Sequence, residues 1–181
     1  MRTSSIISSA LAALTISAAA ITPLDLRCDG RSDPLAAPSA PRLTWRIESE
    51  QSGQIQSAWQ VLVASSADVL AEDKGDLWDS GKVTAKRDPF VVYGGKRPAS
   101  GQQCHWKVRS WDGKDKASAW SKPAVWETAP TNPQDWAGAR WIDDGKENPA
   151  EDADLYKPDP APLMRHEFTI AKPIVRARLH V

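Results

Sequence analysis

Short runs in which every second residue is apolar recur along this chain, and they constrain its fold more than any other feature. In the most regular run, Cys104, Trp106 and Val108 alternate with polar residues. This two-residue period is that of a β-strand with one buried face, and no long segment shows the 3.6-residue period of an amphipathic helix. The 14 prolines also favour short elements joined by turns. The sequence therefore predicts an all-β chain.

Seven predicted strands follow one another at short intervals. They fall at residues 24–28, 43–48, 57–65, 77–83, 90–93, 104–109 and 124–128, with a short helical turn at 68–71. This number and spacing are typical of an immunoglobulin-like or fibronectin type III sandwich, whose two sheets pack about 10 Å apart. We therefore predict a β-sandwich domain over residues 22–130.

The N-terminal segment has the pattern of a secretory signal peptide. Arg2 supplies a positive charge, residues 6–20 are apolar or small, and Ala18 to Ala20 form an A-x-A-like cleavage site. The segment is too short and too rich in alanine and serine to favour an uncleaved anchor. Arg27 disfavours a lipid anchor at Cys28. We therefore predict that residues 1–20 are removed and that the mature chain is soluble, and secreted or periplasmic.

A second domain is predicted after a proline-rich linker at 128–133. Its strands are expected near Trp141 and Ile142, at 163–168 and in an alternating run at 174–181. Those strands are too few to close a core, because a lone hairpin is marginal in water. The last run reads as an unfinished strand, so we predict that residues 131–181 are the truncated start of a second β-sandwich.

Composition and spacing argue against several classes of partner and site. The 23 basic and 23 acidic side chains balance and form no basic stripe, so nucleic acid is not an expected partner. Cys28 and Cys104 both fall on inward-facing strand positions. Export would allow a disulfide between them, and two buried free thiols are the alternative. No histidine pair accompanies the cysteines and no glycine-rich phosphate loop exists, so neither a metal site nor a cofactor is predicted.

The acidic residues between 143 and 159 do not change that conclusion. They lack the spacing of a calcium-binding loop and are interrupted by Pro149 and Pro158. The segment is better explained as a solvated insertion.

The nine tryptophans are the remaining candidates for a binding surface, because an indole face can stack on a sugar ring. Trp45, Trp59 and Trp106 have core-facing parity and are predicted to be structural. Trp78 and Trp120 are predicted to pack at sheet edges. Trp111 has outward parity, and Trp136 and Trp141 lie near the domain junction. We predict a ligand or inter-domain surface at these three residues.

Several strings in the chain resemble a known family. They are PRLTW at 41–45, AWQVLVAS at 58–65, DLWDSGKV at 76–83, VYGG at 92–95, WKVRSWD at 106–112, AWS at 119–121, WI at 141–142 and APLMRHEF at 161–168. In this order they are similar to the N-terminal region of bacterial α-L-rhamnosidases of glycoside hydrolase family 78. The resemblance extends over essentially the whole mature chain. Cys104 departs from it, since the family more usually has an aromatic residue there, and this slightly favours a local Cys28–Cys104 arrangement.

The resemblance implies a role without implying a catalytic residue. Family members are multidomain enzymes that cleave terminal L-rhamnose with inversion, using acidic residues of an (α/α)-barrel that would lie beyond residue 181. No position here matches that barrel, so this chain alone is predicted to be inactive. The expected function is that of an accessory N-terminal fragment of a secreted α-L-rhamnosidase-like hydrolase. Its partners would be the downstream catalytic domain and rhamnose-containing polysaccharide. The alternative is a free-standing exported carbohydrate-binding or adhesion module.

Overall fold

The computed structural model describes residues 21–84, 90–140, 142–146, 151, 156–158, 161–174 and 177–178. The chain divides into two units, residues 1–137 and 138–181. The predicted signal peptide, residues 1–20, lies outside the described residues and stays a prediction. Within the described part of the chain, no helix has the length and apolar character needed to cross a membrane.

The first unit is a β-sandwich, which confirms the predicted fold class. Its elements are β1 (Thr22–Cys28), β2 (Arg42–Glu48), β3 (Ala58–Ala64), α1 (Ala67–Ala71), β4 (Trp78–Asp79), β5 (Val83–Thr84), β6 (Val91–Val92), β7 (Gln103–Trp111) and β8 (Ala124–Glu127). One sheet has the order β1-β2-β6 and the other β4-β3-β7-β8, with β5 paired to the opposite end of β3. All the strand pairs are antiparallel.

Most of the predicted strands form close to their expected positions, but one predicted strand is divided into two. The segment 77–83 forms both β4 and β5, because the chain turns between them at Gly81, whose φ is 60°. The Asp79 carboxylate accepts a hydrogen bond from the Gly81 amide at 2.8 Å and so closes this turn. The short helical turn predicted at 68–71 is α1, with the Ser66 hydroxyl as its N-terminal cap.

The core lies between the two sheets and is dominated by aromatic residues. Trp106 and Trp126 are 0% exposed. They contact one another edge-to-face at 6.3 Å between ring centroids, and Tyr93 contacts Trp126 at 5.5 Å. Trp78 extends this chain of rings by an edge-to-face contact with Tyr93 at 5.4 Å. Such pairs add to the hydrophobic gain of burying large aromatic surfaces, and they confirm the prediction that Trp106 faces inward.

The alternation of β1 is broken by a bulge, which the sequence did not reveal. The register shifts between Leu24 and Arg27, and Asp25 has a φ of 51°. The extra residue moves the buried face, so Pro23 and Leu26 are buried while Leu24 is only half-buried. Leu24 therefore does not share the core face of Leu26, as simple alternation along the predicted strand 24–28 would require.

In its described part, the second unit differs from the first in strand content and in the exposure of its apolar side chains. Residues 161–174 form no strand, and Leu163, Phe168 and Ile174 are exposed. The strand predicted at 163–168 is therefore not formed, because no strand among the described residues supplies its hydrogen-bond partners. The run at 174–181 falls largely outside the described residues. The start of a second sandwich and the domain boundary after residue 130 stay predictions.

Candidate functional site

Trp111 is the first of the predicted surface residues, and the structure buries it. It ends β7 opposite Ala58, on the outer face of the larger sheet as its parity predicted. Its exposed fraction is nevertheless only 8%. The Lys82 Nζ lies 5.0 Å from its ring centroid and the Arg109 Cζ lies 5.1 Å away. Long cationic side chains lie over the indole and leave little of it exposed. The ligand or inter-domain surface predicted at Trp111 stays a prediction.

The contacts of Trp111 belong to a longer series, which we call the cation–π ladder: Lys82, Trp111, Arg109, Trp120 and Lys107. The Arg109 Cζ is 4.6 Å from the Trp120 ring centroid, and the Lys107 Nζ is 5.3 Å from it. Cations and indoles thus alternate across the outer face of the sheet. Three members are alternate residues of β7, so the two-residue period of the strand places them on one face.

Trp120 reaches this face because the segment before β8 runs along the edge of β7. The Ser118 hydroxyl accepts a hydrogen bond from the Ser110 amide at 3.0 Å, and the Ser121 hydroxyl accepts one from the Val108 amide at 3.1 Å. The serines therefore satisfy backbone donors of β7 where β8 has not yet begun. They hold the indole between them over Arg109 and Lys107.

The cationic side chains of the cation–π ladder have hydrogen-bond or ion-pair partners within the domain. The Arg109 Nε and Nη2 donate to the Gln60 Oε1 at 2.9 and 2.7 Å. Lys107, which is only 6% exposed, donates to the Leu70 carbonyl at 2.6 Å and pairs with Asp73. The hydrogen bond from Lys107 lowers the pKa of the Asp73 carboxyl. The ladder fastens α1 to the sheet and leaves little indole surface for a ligand.

The other two predicted residues are not brought together with Trp111. Trp136 is 44% exposed and lies in a 3₁₀ helix, Pro133–Trp136, at the end of the first unit. The Asp135 carboxylate accepts hydrogen bonds from the Asn132 and Thr131 amides at 2.8 and 3.0 Å, which lower its pKa. Among the described aromatic contacts, none joins Trp136 to Trp111. Trp141 lies outside the described residues.

A cleft of about 510 Å³ opens between the two sheets at another margin of the sandwich. We call it the inter-sheet cleft; its apolar lining includes Trp45, Ile47, Trp59, Val83, Phe90 and Val92. Trp45 and Trp59 are edge-to-face at 5.9 Å, and the Trp45 Nε1 donates to the Gln56 Oε1 at 2.9 Å. Arg42 lies over the exposed Phe90 ring at 4.8 Å.

The inter-sheet cleft exists because the strands around it pair over short lengths. β6 pairs only with Arg42 and Leu43, and β5 only with Ala58 and Trp59. Residues 44–48 of β2 therefore have no strand on that side within the described part of the chain. Sequence reasoning missed the cleft because parity predicts which face a tryptophan occupies, not how far along the strand the core extends. Apolar walls with a few polar groups suit a small ligand with an apolar face.

No metal site is assembled in the part of the chain that the structure describes. No group of three histidine, cysteine or acidic side chains there could hold a metal ion. Among the described residues, the lining of the inter-sheet cleft contains no carboxylate.

Comparison with known proteins gives consistent results. The family described as "Rha78A-like, N-terminal immunoglobulin domain" matches residues 23–132. An α-L-rhamnosidase of Formosa agariphila is 37% identical over 115 residues, which are 63% of this chain and 12% of that protein. The structure of the α-L-rhamnosidase from Dictyoglumus thermophilum aligns with a TM-score of 0.61 and 34% identity, covering 63% of this chain and 13% of that one. The Streptomyces avermitilis α-L-rhamnosidase complexed with L-rhamnose aligns with the same TM-score and 37% identity, covering 65% and 11%. The chain thus spans only about an eighth of the relatives that it matches.

Proposed function

The chain belongs to the family of Rha78A-like N-terminal immunoglobulin domains, and on that premise we propose that it serves as the accessory N-terminal part of an exported α-L-rhamnosidase acting on rhamnose-containing glycans. The observation that carries this proposal is the family match over residues 23–132, which runs from β1 past the end of β8. The matched relatives named as α-L-rhamnosidases are several times longer than this chain. In this proposal the downstream region performs the hydrolysis, and the sandwich supports and orients it.

The contacts within the sandwich agree with a supporting role. Its largest fully buried side chains, Trp106 and Trp126, lie in the core. Trp111 and Trp120 are covered by their own cations. Inverting hydrolysis of a glycoside needs two carboxyl groups roughly 6.5–9.5 Å apart across the scissile bond. The described residues that line the inter-sheet cleft include no such pair.

An assay of the isolated chain tests the proposal. The purified chain is expected to release no aglycone from an aryl α-L-rhamnoside, while the longer protein containing this domain hydrolyses it under the same conditions. Removing the domain from the longer protein is expected to lower its stability or activity. Turnover by the isolated chain that survives purification and disappears on mutation of one of its own carboxylates would refute the proposal.

Export is the second part of the proposal and rests on the signal-peptide pattern of residues 1–20. Expression of the full chain in a bacterium is expected to yield a periplasmic or secreted product that begins near Ile21. Replacing Leu11 and Leu14 with arginine would break the apolar run, and this variant should stay in the cytoplasm with its N-terminus intact. A wild-type chain that remains cytoplasmic and unprocessed would refute the export proposal.

The inter-sheet cleft favours a second candidate function, the binding of a sugar. Trp45, Trp59 and Phe90 supply aromatic walls on which the apolar face of a deoxyhexose could pack. Titration with L-rhamnose and rhamnose oligosaccharides, followed by calorimetry, tests this. Phe90→Ala should abolish any binding, and Leu35→Ala, at an exposed apolar site that does not line the cleft, should not. Trp136 stays proposed as a contact for a ligand or a further domain, and Trp141 likewise.

A further inference from the structure

The two cysteines lie in opposite sheets and belong to the same core. Cys28 is the last residue of β1, in the three-stranded sheet, and Cys104 is the second residue of β7, in the larger sheet. Both are buried in one cluster with Trp106, Trp126 and Tyr93. In the structure both are free thiols. A bond between them would join the two sheets directly.

Each cysteine is held in place by backbone pairing on its own sheet. Cys28 is opposite Leu43 of β2, and Cys104 is opposite Trp126 of β8. Their side chains point into the core from the two sides. A short bridge between facing sheets needs this arrangement, whereas two cysteines on one strand or on one face of one sheet would not connect the layers.

We propose that Cys28 and Cys104 form an inter-sheet disulfide when the domain folds in the presence of a small disulfide such as oxidised glutathione. The thiolate of one cysteine attacks the disulfide of the carrier and forms a mixed disulfide. One half of the carrier leaves as a thiol in that step. The thiolate of the second cysteine then attacks the protein sulfur of the mixed disulfide and releases the other half of the carrier as a second thiol. The two electrons and the two thiol protons pass to the carrier, and one Sγ–Sγ bond forms in the protein.

The timing of this step follows from burial. In the folded, reduced domain, burial raises the pKa of both thiols to about 12, and for Cys28 the charge of Asp29 adds to the effect. Thiolate is therefore scarce once the core has closed. The bond forms while the sheets assemble, and the folded reduced domain exchanges slowly. The two cysteines are far apart in the chain, so the bond closes a long loop and restricts the unfolded state strongly.

The test uses the full chain, refolded with a mixture of reduced and oxidised glutathione or with excess reductant. The oxidised sample is expected to lose both free thiols, counted after denaturation, and to weigh two hydrogens less. A proteolytic map without reduction should join the peptide of Cys28 to that of Cys104. The thermal midpoint should fall by roughly 10 °C when reductant is added, as expected for a bond that closes a long loop.

Two cysteine variants test the proposal even if they lower the stability of the domain, because each variant is compared with itself in the presence and absence of reductant. In Cys28→Ala and Cys104→Ala the midpoint should not respond to reductant, whatever its absolute value. Two free thiols after oxidative refolding, or a linkage found only between two chains, would overturn the proposal. The oxidant is added in vitro during refolding, so the result of this disulfide test does not depend on whether the chain is exported.

Discussion

At the scale of single residues, Trp106 shows how a strand position becomes a core position. It lies in the middle of β7, opposite Val63 of β3 and Ala124 of β8. Its ring contacts Trp126 edge-to-face, and no part of it is exposed. The indole therefore fills a volume that no neighbour could occupy without moving a backbone.

Replacing Trp106 with alanine is expected to cost about 3–5 kcal/mol in free energy of unfolding, because the loss of a large buried aromatic leaves a cavity. A chemical denaturation curve of the full chain measures this. Trp136→Ala is the matched control, since that ring is 44% exposed, and it should cost less than about 1 kcal/mol. An unchanged midpoint for the Trp106 variant would reject its place in the core.

The buried thiols predict a dependence of stability on alkaline pH in the reduced protein. The pKa of Cys28 and Cys104 is raised from 9.0 to about 12 in the folded state, chiefly by burial. The folded state therefore keeps protons that the unfolded state releases. The contribution of the two protonated thiols to the free energy of unfolding is fully present below pH 9. It is lost as the pH rises from 9 through about 12.

Denaturation midpoints measured in reductant at a series of alkaline pH values should show this decline. The Cys28→Ala, Cys104→Ala double variant should show a shallower one. The decline in stability that remains in the double variant is expected from Tyr93, because burial raises the pKa of its hydroxyl from 10.0 to about 12. Equal slopes in the two proteins would contradict the assignment to the thiols.

At the scale of elements, β7 uses both of its faces. Its inner face supplies Cys104, Trp106 and Val108 to the core, and its outer face carries the cation–π ladder. Lys107 connects this outer face to α1 through the Leu70 carbonyl. A cation at the end of a helix also complements the carbonyl groups exposed there.

Lys107→Ala is expected to destabilise the domain by about 1–2 kcal/mol, because the Leu70 carbonyl loses a hydrogen-bond donor and Trp120 keeps only one of its two cations, Arg109. Lys74→Ala is the control, since the Lys74–Glu72 pair is exposed at both ends and should contribute less than about 0.5 kcal/mol. Denaturant titration of the two variants gives the comparison. Equal effects would show that the buried lysine is not a specific support for α1.

The Gly94–Gly95 pair supports a close approach between the segment after β6 and the start of β4. A Cβ atom on Gly95 would lie 2.5 Å from the Trp78 Cβ and 2.6 Å from the Tyr93 hydroxyl, and would also meet the Leu77 carbonyl. A Cβ on Gly94 would have only ordinary contacts, the nearest at 3.6 Å to the Trp78 ring. The two adjacent glycines thus have different roles.

Gly95→Ala is expected to destabilise the domain by about 1–3 kcal/mol, because backbone atoms must move to admit the methyl group. Gly94→Ala should change the stability by less than about 1 kcal/mol. Thermal unfolding followed by tryptophan fluorescence separates the two. A Gly94 variant as unstable as the Gly95 variant would point to backbone conformation rather than to steric contact.

At the scale of the whole molecule, the two units differ in how much apolar surface they bury. The first unit has a closed core, and in the second Leu163 and Phe168 are exposed. Limited proteolysis should therefore trim the chain to a stable fragment that ends between Thr131 and Ala137, because exposed chain without strand pairing is cleaved first. Mass spectrometry of the fragments checks this. A resistant fragment from 138–181 alongside a degraded first unit would contradict it.

The sequence by itself determined the all-β class, the sandwich and the inward direction of Trp106. These follow from local alternation, since the direction of a side chain on a regular strand without a bulge follows its parity. The family resemblance was also readable from the strings themselves, and the family match over residues 23–132 confirms it.

Only the tertiary structure decided which outward residues are covered and where the core ends. Trp111 has outward parity but is buried by Lys82 and Arg109, and Lys107 is buried by α1 and Trp120. The bulge at Asp25 reverses the parity of part of β1. The inter-sheet cleft depends on how far short strands pair. Each of these features depends on contacts between different segments of the chain. The periodicity of a single strand carries no information about such contacts.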